Sequence, residues 1–178
     1  LSVVRAVSLS GTIPGRSGNR LLFSAEGLED DDIRSGAFLR IGYNYFENYG
    51  IPLIAGRSYS RDFATDLTDA MVINEEMVRY VGWESPDAAI GKLLNDLPVV
   101  GVVGDYHPES LKGGIQPSMY QLSPRAVGFV SIRVAGNDAS DAIAQVREVW
   151  ASLFPAFPFE SFFLDDDFNR LYQSEERM

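Results

Sequence analysis

The chain has 178 residues, with 15 Lys and Arg against 25 Asp and Glu, a net charge of −10. This excludes nucleic-acid binding through clustered cations and a polybasic face held on anionic lipid. It has no cysteine, so a thiolate nucleophile, a dithiol redox centre and a thiolate zinc site are excluded. Apolar residues make up 46% and charged residues 22%, an ordinary globular mixture. A chain of this length buries about 70% of its unfolded surface without a staple. It fits one domain or two small subdomains.

In chain order, Val3 to Leu9 is β-rich and apolar. A loop with Gly11, Pro14, Gly15, Gly18 and Asn19 follows. Leu21 to Glu26 reads as a second strand, Glu29 to Asp32 as an acidic loop, and Ala37 to Ile41 as a third strand. "NYFENYG" predicts a short helix with Asn44 as cap and Gly50 as stop. In "IPLIAGRSYS", Pro52 and Gly56 argue for an irregular edge segment. Arg61 to Asp69 reads as a polar loop.

"AMVINEEMVRYVGW" joins a short strand to a helix capped by Asn74, with Glu75 and Glu76 in its first turn and Gly82 at its end. In "SPDAAIGK", Ser85 caps, Pro86 takes the first helical position and Gly91 terminates. Lys92 to Leu94, the turn "NDLP" and Val99 to Val103 predict a hairpin. Gln116 to Leu122 and the alternating Phe129 to Val134 read as strands.

"NDASDAIAQVREVWASLF" is the strongest helix signal, with Asp138 as cap. Ala139, Ala142, Ile143, Val146, Val149, Trp150, Leu153 and Phe154 fall on one face. Phe159 to Leu164 reads as a final strand. Asp165 to Asp167 open a last helix with Phe168, Leu171 and Tyr172 on one side. Strands, a mixed insert, then strand, helix and strand make an α+β order, not a doubly wound parallel sheet. No run of 18 apolar residues occurs. The opening "LSVVRAVSLSG" lacks the basic and hydrophobic regions of a signal peptide. It starts without Met, and the last helix is still running at Met178. The chain therefore reads as a piece of a longer protein whose membrane segments lie outside it.

"VVGVVGDYHPESLKG", from Val99 to Gly113, holds the only histidine. It is not a phosphate loop: Asp105 and Tyr106 follow Gly104 where a Walker loop needs Lys and Ser/Thr, and no third glycine opens a helix. His107 with Asp105 and Glu109 offers a base and an orienting acid on paper. A metal site would ask for a second His or Cys. The reading preferred from the residues is a strand end, with Asp105 bonding turn amides and His107 at a surface or interface. The acidic runs Asp165–Asp167 and Glu29–Asp32 read as a dipole-stabilised helix start and a solvated loop, since neither has an EF-hand spacing. No G-x-S-x-G elbow occurs. The aromatics of "YNYFENY" and "FPAFPFESFF" suit core packing first and a ligand groove or interface second. No catalytic, cofactor-binding or metal residue is assigned.

Four stretches in series carry a resemblance: "YFENYGIPLIAGRSYS", "MVINEEMVRYVGWESPDAAIGK", "VVGVVGDYHPESLKGGIQPSMY" and "SFFLDDDFNRLYQSEERM". Their order and spacing, across nearly the whole chain, resemble the extracytoplasmic core domain of MacB/FtsX-type ABC transporter permeases. The helix that such domains usually carry before the strand at Val3 to Leu9 has no counterpart here.

The resemblance implies a discontinuous porter-like α/β lobe, residues 1–49 and 126–178, with a mixed Sabre-like lobe, residues 50–125, inserted in it. It implies a location on the periplasmic face of a bacterial inner membrane, and a transmembrane helix after the segment Asp165 to Met178. It implies a non-catalytic role without cofactors, passing the motion of a cytoplasmic ATPase to periplasmic partners. The implied partners are a second permease subunit joined through membrane helices, the ABC ATPase, and a periplasmic adaptor or cargo. The isolated domain is then expected to be monomeric or weakly dimeric. Two other readings of the residues stand beside it: an extracellular small-ligand sensor using an aromatic cleft, and a hydrolase working through His107 or an acidic pair.

Overall fold

The computed structural model describes residues 3–14, 16, 18–29, 31–106, 114–123, 125, 128–134 and 139–167. The chain forms two units, Ser8–Ser131 and the smaller Leu1–Val7 with Ile132–Met178.

The strands are β1 (Val4–Ser10), β2 (Asn19–Phe23), β3 (Arg34–Ile41), β4 (Leu53–Gly56), β5 (Met71–Asn74), β6 (Leu93–Leu94), β7 (Leu97–Val103), β8 (Ser118–Leu122) and β9 (Phe129–Val134). Their order in the sheet is β4-β7-β5-β8-β3-β1-β9, with β2 beside β3 and β6 beside β7. Pairs β3–β8 and β5–β7 are parallel; β2–β3, β4–β7 and β5–β8 are antiparallel. This mixed sheet bears out the α+β expectation. The irregular segment at Pro52 and Gly56 is the edge strand β4, with a register shift between Leu53 and Ala55.

Strand β5 is central because all four of its residues are buried. Its alternation sends Met71 and Ile73 into one core and Val72 into the other. The first core takes Met77, Val78 and Val81 from helix α2 (Glu75–Val81) and Ala89 from α3 (Pro86–Ala89). The second takes Tyr45 and Phe46 from α1 (Tyr45–Tyr49). The larger unit is therefore a sheet covered by α2 and α3 on one face and by α1 on the other.

The local stops behave as their residues dictate. Asn74 Oδ1 accepts from Met77 N at 3.0 Å, and Ser85 Oγ accepts from Ala88 N at 3.2 Å. Gly50 and Gly82 close α1 and α2 at φ 70° and 91°. The hairpin of β6 and β7 turns on two residues only, Asn95 and Asp96, at φ 50° and 62°. Leu97 and Pro98 already belong to β7. Gly91, just beyond the cap Ile90 of α3, likewise stands at φ 87°. One expectation differs: Asn44 does not cap α1 with its side chain; it sits at φ 61°, and its carbonyl accepts from Asn48 N at 2.9 Å.

In the smaller unit α4 spans Ala139–Leu153, and Ala142 is its buried residue. The expected cap Asp138 lies outside the described residues. Phe159 to Leu164 is not a strand. Trp150 of α4 packs on Phe154 at 4.8 Å and on Phe159 at 6.3 Å between ring centroids, and its Nε1 donates to Phe157 O at 3.2 Å. The Arg147 guanidinium lies 5.4 Å from the centre of the Phe159 ring. These contacts lay the aromatic segment back on α4, where it has no ladder partner among the described residues. A helical turn at residues 164–167 follows. No helix among the described residues is long and apolar enough to cross a membrane.

Candidate functional site

The end of β7, where the sequence places its densest chemistry, is held from two sides. Gly101 lies against the backbone of Arg57, and a Cβ there would overlap the Arg57 carbonyl. A Cβ on Gly104 would lie 2.8 Å from Pro52 Cγ, and Gly104 N donates to Pro52 O at 2.8 Å. Both glycines thus serve close backbone approach, as their positions in the strand suggest. Among the described residues, the Asp105 carboxylate is engaged by helix α2. Its Oδ1 accepts from Glu76 N at 2.9 Å, and its other oxygen pairs with Arg79, which also holds Glu76 Oε2 at 2.8 Å. A carboxylate from the segment just after β7 therefore closes the first turn of α2, where unpaired amides and the helix dipole favour it.

Tyr106, the next residue, enters an aromatic cluster. Its hydroxyl shares a hydrogen bond with Tyr45 Oη at 3.0 Å, and its ring stacks on Tyr120 with centroids 6.5 Å apart. Tyr45 also meets Tyr49 at 4.8 Å, and Phe46 meets Tyr120 edge-on at 5.1 Å. Burial pushes the phenols of Tyr45, Tyr106 and Tyr120 well above their ordinary range, and that of Tyr59 likewise. These hydroxyls stay protonated at neutral pH, so the cluster offers packing and neutral hydrogen bonds rather than a base or nucleophile.

A second polar node lies in the segment read as a polar loop. Asp66, in a 3-10 turn at Ala64–Leu67, is fully buried. It accepts from Arg57 Nη1 at 2.8 Å and Nη2 at 2.7 Å, and from Ser60 N at 3.0 Å. Burial pushes its carboxyl up, but the Arg57 guanidinium and the Ser60 amide outweigh this and hold it below the usual range. The sequence carried no local sign of this pair; a lone Asp in a polar stretch looks solvated.

The remaining candidates separate. His107 and Glu109 lie outside the described residues, as does Asp30. In the acidic loop Glu29 and Asp31 are exposed, and Asp32 pairs with Arg34 at 2.7 and 3.1 Å. Asp165 and Asp166 are exposed and Asp167 is buried, with Asp167 N donating to Phe163 O at 3.1 Å. The two aromatic runs also part company. Tyr45 and Phe46 are core residues, whereas Phe154, Phe157, Phe162 and Phe163 are exposed. Among the described residues no group of three or more His, Asp or Glu is placed to hold a metal ion.

No family model matches the chain, and no curated protein matches it. Solved structures do. The periplasmic region of MacB from Actinobacillus actinomycetemcomitans is similar over 100% of this chain and 78% of that one, with TM-score 0.62 and 16% identity. The extracellular domain of the noncanonic ABC-type transporter YknZ from Gram-positive bacteria is similar over 78% of this chain and 70% of that one, with TM-score 0.54 and 16% identity. A domain of a putative permease protein from Porphyromonas gingivalis is similar over 94% of this chain and 83% of that one, with TM-score 0.52 and 17% identity. The mixed sheet and its few short helices thus share the fold of the MacB periplasmic region, the YknZ extracellular domain and the permease domain.

Proposed function

We propose that this chain is a non-catalytic extracytoplasmic domain of an ABC transporter permease of the MacB/FtsX type, acting at the periplasmic face of a bacterial inner membrane. In this reading it passes motion driven by a cytoplasmic ATPase to a periplasmic adaptor or cargo, and a second permease subunit completes the assembly. A porter-like lobe, residues 1–49 and 126–178, and a Sabre-like insert, residues 50–125, belong to the same reading. The observation that carries it is the fold match to the MacB periplasmic region along the whole chain. The chemistry described above supports it: buried phenols kept neutral, and carboxylates engaged in structural pairs.

The test is the full-length gene product. Its coding sequence is expected to continue into apolar spans of about 20 residues, and the tagged protein in detergent is expected to retain an ABC ATPase through washing. A gene without such spans, or a full-length protein that binds no ATPase, would overturn the proposal.

A further inference from the structure

Asn48 lies in α1 with its side chain buried. Its Nδ2 donates to Ser8 Oγ at 2.8 Å and to Ser131 O at 3.0 Å. Those two acceptors are the first and last residues of the larger unit. They lie on β1 and β9, which are hydrogen-bonded neighbours in the sheet. The next residue of α1, Tyr49, shares a hydrogen bond with Ser131 Oγ at 2.6 Å. One short helix therefore grips both chain ends of this unit through side-chain amide and phenol.

The grip is wholly polar, whereas apolar packing predominates between β5, β7 and β8. Strands β5, β7 and β8 are held by apolar residues such as Val72, Val102 and Met119, all fully buried. At Asn48 the helix meets buried polar groups of β1, where Ser8 and Ser10 are both buried. One atom here, Asn48 Oδ1, is buried without a hydrogen-bond partner among the described residues. An unsatisfied polar atom raises the free energy of the closed arrangement, and it gains water when the arrangement opens. A locally opened state is correspondingly cheap to reach, while the apolar strands need global unfolding.

We propose that Asn48 is a releasable clasp. Closed, it holds β1 and β9 together at Ser8 and Ser131. Open, with water at Asn48 Oδ1, it frees both chain ends of the unit while β5, β7 and β8 stay folded. The clasp does not depend on the permease reading; within that reading it sets the load at which the two ends part.

Residue-resolved hydrogen exchange on this chain tests it. In the wild type, amides at 8–10 and 129–131 are expected to exchange through a local opening, faster than those of Val72, Val102 and Met119. Asn48→Ala is expected to raise exchange at 8–10 and 129–131 by about tenfold or more, leaving the three core amides unchanged. Equal protection of all these strands in the wild type would overturn the clasp. So would an even loss of protection across the sheet in the variant, or no change at β1 and β9. If Asn48→Ala does not fold, Ser8→Ala removes one acceptor. A smaller rise confined to the same two segments supports the clasp, and its absence overturns it.

Discussion

The Tyr59 phenol is built into the sheet: Tyr59 Oη donates to Tyr120 O at 2.6 Å and accepts from Val72 N at 3.1 Å. Val72 and Tyr120 are register partners of β5 and β8, so the phenol stitches the two strands at the centre of the sheet. Tyr59→Phe keeps the ring but leaves a buried amide and a buried carbonyl short of a partner. The expected loss is about 2–4 kcal/mol, read as a lower urea midpoint with an unchanged slope. A midpoint equal to the wild type would show that the bridge contributes nothing.

The Arg57–Asp66 pair carries a pH signature. The folded carboxyl is held below its ordinary value. Its contribution is therefore complete above the unfolded carboxylate range, near about pH 4, and is lost as pH falls through the lower folded value. Asp66→Asn is expected to cost about 2 kcal/mol at pH 7, below the about 3–5 kcal/mol of a fully buried broken pair because Arg57 is partly exposed. The gap between wild type and variant should narrow as pH drops from 6 to 3 in denaturant melts. A gap that stays constant over that interval would contradict the assignment.

Gly101→Ala tests the close approach of β7 to Arg57. The added methyl meets backbone, the Arg57 carbonyl, which has no side-chain rotation to offer. Such overpacking costs about 1–3 kcal/mol or more. Gly114→Ala is the control, since a Cβ there meets nothing within 4 Å among the described residues, and its thermal midpoint should match the wild type.

Asn74 does two jobs with one amide. Oδ1 accepts from Met77 N at 3.0 Å and Ser118 N at 2.8 Å, while Nδ2 donates to Gln116 O at 3.0 Å. Asn74→Ala removes a helix cap and a strand anchor together, for an expected loss of about 2–3 kcal/mol. Asn74→Asp keeps the acceptors and loses the donor, so its stability should fall between the two. An Asp variant as unstable as Ala would place the whole effect on Nδ2.

What could be read in the sequence is what is settled within a few residues. Asn74 before its helix, Ser85 with Pro86, and Gly50 and Gly82 at the stops are all local, because a cap and its amide lie three residues apart and a glycine turn needs only its own φ. Alternation in Phe129 to Val134 predicted β9, and the motif series anticipated the permease-domain fold. The tertiary structure decided everything that depends on a distant partner. Asp105 closes a helix 29 positions earlier in the chain, and Asp66 is buried because Arg57 meets it. Asn48 bonds residues 40 and 83 positions away. Phe159 to Leu164 had the residues of a strand, but Trp150 and Arg147 contact the Phe159 ring, and among the described residues no neighbouring strand receives its amides. Composition sets whether a segment can be apolar or polar. Only packing of remote segments sets which polar groups find partners and which extended segments find a sheet.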